Sequence, residues 1–211
     1  MEEFGRLSGS IDQIELAFIE REAIPGFLMR LSIQLHLSGL SLLDTVSVLG
    51  IFGVERARST VHNWIHKADL QPTSEKNPDH VAVDETVIHL NDDQYWLYAA
   101  VDPETNELLH TSLEPTTNTG VAEAFLAEIN EKHDVADAVF LIDGAHSLQA
   151  ACHRAGYDFR CEKHGNRNAV KRVFREIKRR TTCFSNCFSN ASADTADDRL
   201  RSFSFALNQL I

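Results

Sequence analysis

The chain has 211 residues, 43% of them hydrophobic, and a formal net charge of -11, enough for one full domain or for a small module joined to a catalytic domain of about 130 residues. No apolar run approaches the roughly 18 residues that span a bilayer, and Met1-Glu2-Glu3-Phe4 lacks the basic region of a signal peptide, so a soluble, cytoplasmic protein without a membrane partner is expected. Cys152, Cys161, Cys183 and Cys187 do not make a disulfide scaffold, and Cys183-x-x-x-Cys187 with Cys161 and His164 upstream lacks the close pair spacing of zinc ribbons.

In the first third of the chain apolar residues recur with helical spacing: Phe27, Leu28, Leu31 and Leu35, then Leu42, Leu43, Val46 and Leu49. The second stretch ends at Gly50-Ile-Phe-Gly53. A third helix is expected to start near Ser59, capped by its hydroxyl, with Val61, Trp64 and Ile65 facing inward. Helix, short glycine-containing turn and helix make a helix-turn-helix pattern. Such a motif offers the polar start of its second helix to the major groove, here Arg56, Arg58, Ser59, Thr60, His62 and Asn63. An ordinary pair of packed helices has the same signature. Residues 71–80 contain two prolines and almost no apolar side chains and read as a linker, so residues 1–70 form one module and 81–211 the other.

Past the linker the period becomes extended. Val81–Leu90, Tyr95–Val101 and Glu107–Leu113 read as three successive strands, followed by a helix over Val121–Lys132 and a buried strand over Ala138–Asp143. A helix over Leu148–Arg154, a short strand over Tyr157–Cys161 and a last helix over Asn168–Arg180 complete the pattern. Strands 1-2-3, helix, strand 4, helix, strand 5, helix is the order of the ribonuclease H-like fold, a mixed five-stranded α/β sheet with strands 1 and 4 side by side.

Asp84 interrupts one apolar strand and Asp143 closes another, positions where an ionised side chain is costly without a partner. A divalent metal is such a partner. Two aspartates on adjacent strands, with a third acid from a following helix, can hold two Mg²⁺ ions about 3.5 to 4 Å apart for attack on a phosphodiester. The competing reading is that each aspartate merely ends a strand or caps a turn. The acidic net charge opposes a nucleic-acid partner at first sight. Arginine outnumbers lysine, however, and the acids are scattered, a composition suited to strong salt, where the screening length shrinks to about 3 Å and only close contacts count. Local basic charge is concentrated at Arg167, Lys171, Arg172, Arg175, Lys178, Arg179 and Arg180, with one acid, Glu176, among them.

Arg58-Ser-Thr-Val-His-Asn-Trp64, Val83-Asp-Glu-Thr86, Phe140-Leu-Ile-Asp-Gly-Ala-His146, His164-Gly-Asn-Arg-Asn-Ala-Val170 and Arg172-Val-Phe-Arg-Glu-Ile-Lys-Arg-Arg-Thr181 together resemble the transposases of insertion-sequence family six, in the short form of halophilic archaea. The resemblance implies a DDE transposase that binds terminal inverted repeats, assembles as a homo-oligomer on DNA, and transfers 3′ ends to target DNA with Mg²⁺, or Mn²⁺ in its place. It departs from the family at Lys171, where relatives carry the third catalytic glutamate. Glu176 is the acid nearest that position, separated from Asp143 by thirty-two residues, and is expected to complete the metal set with Asp84 and Asp143. Lys171 and Glu176 lie about 140° apart on a helix, so the two cannot both face the metals. On this reading Arg167, Arg172, Lys178, Arg179 and Arg180 hold phosphates beside the site. A non-catalytic DNA-binding protein, such as a repressor or a decayed transposase, and a metal-dependent nuclease are the competing functions.

Overall fold

The structure, a computed structural model, describes residues 11, 13–16, 24–72, 75–162, 165, 168–183 and 192–209. The chain divides into two compact units between Gln71 and Pro72. Among the described residues, no helix is long and apolar enough to cross a membrane.

The first unit contains α1 (Gly26–Leu37), α2 (Leu42–Ile51) and α3 (Arg58–Ala68), each packed on the other two. Ser41 caps α2, its Oγ accepting from the Asp44 amide at 3.1 Å. Gly53, at φ +76°, takes the left-handed conformation that ends the turn after α2. The apolar stripe read from the sequence is one residue out of phase in α1. Leu28, Met29, Ile33 and Leu37 are buried while Phe27 is exposed, because the interior also accepts Ser32, Gln34 and His36, polar side chains that disguise the stripe. Ser32 Oγ donates to the Met29 carbonyl at 2.7 Å, and His36 Nδ1–H donates to the Leu40 carbonyl at 2.7 Å, so both polar groups are satisfied inside. In α2, Leu49 is buried but Leu43 is exposed. Ser59 does not cap α3. Ala57 occupies the cap position with no side-chain bond, and Ser59 falls in the first turn.

The second unit is built on β1 (His80–Leu90), β2 (Asp93–Val101), β3 (Leu108–Glu114), β4 (Val139–Ile142) and β5 (Phe159–Cys161), arranged as β3-β2-β1-β4-β5. β1, β2 and β3 form an antiparallel meander, while β4 and β5 add in parallel. This is the strand order of the ribonuclease H-like fold. One face carries α4 (Thr119–Lys132) and α5 (His146–Ala155), packed through Phe125, Leu126, Ile129 and Leu148. The other carries α6 (Asn168–Cys183) and α7 (Ala193–Asn208), packed through Val170, Val173, Phe174, Ile177, Leu200 and Phe203.

Two features were not legible as elements. The first is α7, whose apolar positions Ala196, Leu200 and Phe203 are spaced by serines and acids. It covers the outer strand β3: Asn208 exchanges two bonds with the Leu108 backbone (2.8 and 2.9 Å), and Asp197 accepts from the Leu113 amide at 3.0 Å. An exposed strand edge is thereby closed to pairing with another chain. The second is the stretch expected to be a linker, which is tied into this unit from Glu75 onward. Glu75 N–H donates to the Lys132 carbonyl (2.7 Å), Asp134 N–H donates to the Lys76 carbonyl (2.8 Å), and Lys76 pairs with Glu107 at 2.8 Å.

A polar cluster sits where α4 crosses β3. Buried His110 donates through Nε2 to Glu128 (2.6 Å) and accepts at Nδ1 from Lys132 Nζ (3.1 Å), and His133 Nε2 donates to the Leu109 carbonyl at 3.1 Å. Burial pushes the pKa of both imidazoles below the ordinary value, and the bond from His110 holds Glu128 below the usual carboxylate range.

Candidate active site

Asp84 lies mid-strand in β1 and is 7% exposed. Its Oδ1 accepts from the Glu85 amide at 3.1 Å, and its neighbour across β2 is Ala99, a side chain too small to crowd it. Asp143 follows β4 directly and is half-buried. Its Oδ1 accepts from the Ala145 amide at 2.7 Å, so it does cap the turn into α5, the role a purely structural aspartate would have. The register says more. β1 and β4 pair in parallel up to Ala82 opposite Leu141, two residues short of both aspartates; continued past that last pair, the register would set Asp84 level with Asp143. Neighbouring strands lie about 4.8 Å apart, and level residues of a parallel pair point to the same face. That face is the one covered by α6, because Ala82 and Leu141 both pack in the α6 core.

The roll of α6 follows from its buried residues, Val170, Val173, Phe174 and Ile177. Lys178 Nζ donates to Thr86 Oγ1 at 2.7 Å, and Thr86 lies two residues beyond Asp84 on the same face of β1. Lys171 precedes Lys178 by seven residues and so shares its flank. Glu176 lies on the other flank, in a cleft of about 290 Å³ lined by Asn106, Ala169, Arg172, Val173 and Leu207. The helix therefore turns Glu176 toward α7, and Lys171 and Lys178 toward the strands that bear the aspartates. Among the described residues no three His, Cys, Asp or Glu side chains stand close enough together to hold a metal ion. Glu176 is not gathered with Asp84 and Asp143, against expectation, because the buried face fixes the roll of the helix and α7 occupies the side to which Glu176 points.

The donor set can still be weighed chemically. Two carboxylates are hard oxygen ligands of the kind Mg²⁺ and Mn²⁺ prefer, and set level they would hold one cation between them with water completing its shell. A pair of cations needs a third acid, which α6 does not direct at the site.

The basic residues are dispersed. Arg172 donates to Asn106 Oδ1 at 2.5 Å, away from Lys178. Arg175 is exposed. Arg179 and Arg180 fall on α6 with side chains outside the described residues, and Arg167 and His164 lie outside them altogether. Cys152 is buried, its thiol pushed up to about 11 by burial, and Cys161 is exposed. Cys187 lies outside the described residues, as does the side chain of Cys183. In the first unit, Val61, Trp64 and Ile65 hold α3 to the core and leave Arg58, Ser59 and Asn63 exposed, with Thr60, His62 and Arg56 half-buried. Arg56 Nη1 donates to the Glu55 carbonyl at 2.8 Å.

No family model matches the chain. Among solved structures it is similar to the catalytic core domain of HTLV-2 integrase in complex with magnesium, at a TM-score of 0.44 and 15% identity over 61% of this chain and 85% of that one. It is similar to the catalytic core domain of BIV integrase at 0.43, with 14% identity over 59% of this chain and 82% of that one. A chain of the simian T-cell lymphotropic virus intasome in complex with PP2A regulatory subunit B56 gamma is similar at 0.46, with 14% identity over 83% of this chain and 66% of that one. In sequence, "Uncharacterized protein MJ0017" of Methanocaldococcus jannaschii is 30% identical over 177 residues, covering 82% of each chain. The chain belongs to the same family as that Methanocaldococcus jannaschii protein.

Proposed function

We propose that the chain is a DNA transposase of the DDE type, akin to insertion-sequence family six. It binds the terminal inverted repeats of its element through α3, and Asp84 and Asp143 hold the catalytic divalent cation. The observation that carries this reading is a buried aspartate mid-strand in β1 and a second directly after its parallel neighbour β4, beside a basic helix that packs on this sheet. A bound Mg²⁺ would supply charge stabilisation at the reacting phosphate. Asp84 and Asp143 would anchor and orient it, while Lys178 and the exposed basic residues of α6 would hold the nucleic-acid backbone. Position 171, on the flank turned toward the aspartates, bears an ammonium where a third carboxylate is needed. At short range such a charge repels a cation, so strand transfer by the natural chain is weak. That observation also favours a second reading, a protein that occupies the repeats without joining strands.

A strand-transfer assay on pre-cut element ends, in high salt with Mg²⁺ or Mn²⁺, tests the proposal, alongside repeat binding by Arg58→Ala. Joined product, however scarce, and about tenfold weaker binding by the variant support it, the loss being that of one base-reading side chain. Specific binding with no joining under any metal leaves the second reading, and cleavage without joining means a nuclease. Binding unchanged in Arg58→Ala contradicts recognition through α3.

A further inference from the structure

Helix α3 carries two histidines, one of them His62 of the expected groove-facing set, whose placement against each other is not required for reading DNA. His62 and His66 stand one turn apart on the same side of the helix, with Nε2 atoms 3.3 Å apart and ring centroids separated by 4.4 Å. Other histidines turn their ring nitrogens onto protein oxygens: His36 onto the Leu40 carbonyl, His110 onto Glu128 and His133 onto the Leu109 carbonyl. His62 and His66 turn nitrogen toward nitrogen. At 3.3 Å the two nitrogens make a long hydrogen bond, one ring donating to the other.

The same separation suits a different bond as well. With metal-to-imidazole lengths of about 2.0 to 2.1 Å, two nitrogens 3.3 Å apart subtend about 107° at a shared ion, near the tetrahedral angle. We propose that His62 and His66 form a chelating site for a borderline divalent transition-metal ion, Zn²⁺, Ni²⁺ or Cu²⁺, bound through the two Nε2 atoms. Imidazole nitrogen selects these ions, whereas Mg²⁺ prefers oxygen, so the site differs in chemistry from the aspartate pair. The support is rigid: Val61, Trp64 and Ile65 are buried on the same two turns and fix the helix that presents both rings. No third His, Cys, Asp or Glu joins the pair among the described residues. Two imidazoles supply two of the four positions of a tetrahedral ion, and water or another donor would take the rest. The site does not depend on α3 being a recognition helix.

The test uses the full chain, freed of metal by a chelator. Zn²⁺ is titrated calorimetrically into the natural protein, His62→Gln and His66→Gln, with millimolar Mg²⁺ present to occupy carboxylates. One equivalent should bind, each variant should weaken binding at least tenfold, and the double variant should lose little more than either single one, because one removal already breaks the chelate. Folding of the variants is checked by circular dichroism. As a readout that needs no variant, the electron paramagnetic resonance spectrum of the natural chain with one equivalent of Cu²⁺ should show two coordinated nitrogens. Zn²⁺ affinity within twofold of natural in both folded variants, or a Cu²⁺ spectrum without a nitrogen pair, overturns the proposal.

Discussion

Two flanks of α6 face different neighbours: one carries Lys171 and Lys178, the other Glu176 with Arg172 beside it. The lysine flank reaches β1 through Thr86, two residues from Asp84, while Glu176 opens into the cleft beside Leu207 of α7. An acid at the right sequence spacing is thus on the wrong side of its helix. Spacing along the chain limits which acid can reach a site, and the roll of the helix decides which one does. That roll is set by four apolar residues packed on the sheet and by a second helix that fills the other flank.

The comparison breaks first at the aspartates. Asp84→Asn or Asp143→Asn, made in a Lys171→Glu background so that joining is easily measured, should lower strand transfer by about a thousandfold, the effect of losing several kcal/mol of cation-mediated stabilisation. Binding to the repeats should stay within twofold, since α3 is untouched. Joining retained by Asp84→Asn would show that the pair does not hold the cation.

Swapping charge between the flanks sharpens it. Lys171→Glu should raise joining at least tenfold, about 1.4 kcal/mol, whereas Glu176→Gln should leave it within twofold. The opposite pattern, a harmless Lys171→Glu and an inactive Glu176→Gln, would require α6 to roll by roughly 140° when DNA or metal binds.

The Glu176 flank depends on α7 staying in place. Asn208→Ala removes both bonds to the Leu108 backbone and should destabilise the fold by about 1–3 kcal/mol, the cost of half-buried backbone groups left unpaired. Urea unfolding checks it. An unchanged midpoint would mean that α7 is held by its apolar face alone.

The smallest effect is the pH dependence of the sheet face opposite α6. Burial holds His110 and His133 below the imidazole value of about 6.5, so the unfolded chain takes up protons first as the pH falls through it. Stability is therefore full above about pH 6.5 and declines below it, because the unfolded state then binds more protons. Glu128, held below its usual 4.5, adds a further loss at more acid pH. The urea midpoint should fall between about pH 6.5 and 5.5, less steeply in His133→Gln. A flat profile would refute the assignment of neutral, buried imidazoles.

Much of this architecture was legible in the sequence where one physical signal dominates. β4 and the start of β1 are apolar runs, and Asp84 and Asp143 stood out because charge interrupts or closes them. The strand order then set their two strands side by side, although fifty-eight residues separate the aspartates. Legibility failed where polar residues are buried. Ser32 and His36, satisfied by backbone carbonyls, shifted the apparent face of α1 by one residue. Serines along α7 hid the helix, and without α7 nothing in the sequence could tell which flank of α6 meets the aspartates. The facing nitrogens of His62 and His66 depend on rotamers, which a sequence does not carry.

The most direct test of the aspartate pair is a crystal structure of the Lys171→Glu chain grown with Mn²⁺, read by anomalous scattering. The account predicts a peak within about 2.0 to 2.3 Å of a carboxylate oxygen of both Asp84 and Asp143, on the face covered by α6 and with Glu176 outside its coordination shell. A peak bound by Glu176, or none near Asp84 and Asp143 while Mn²⁺ is bound elsewhere, would contradict it.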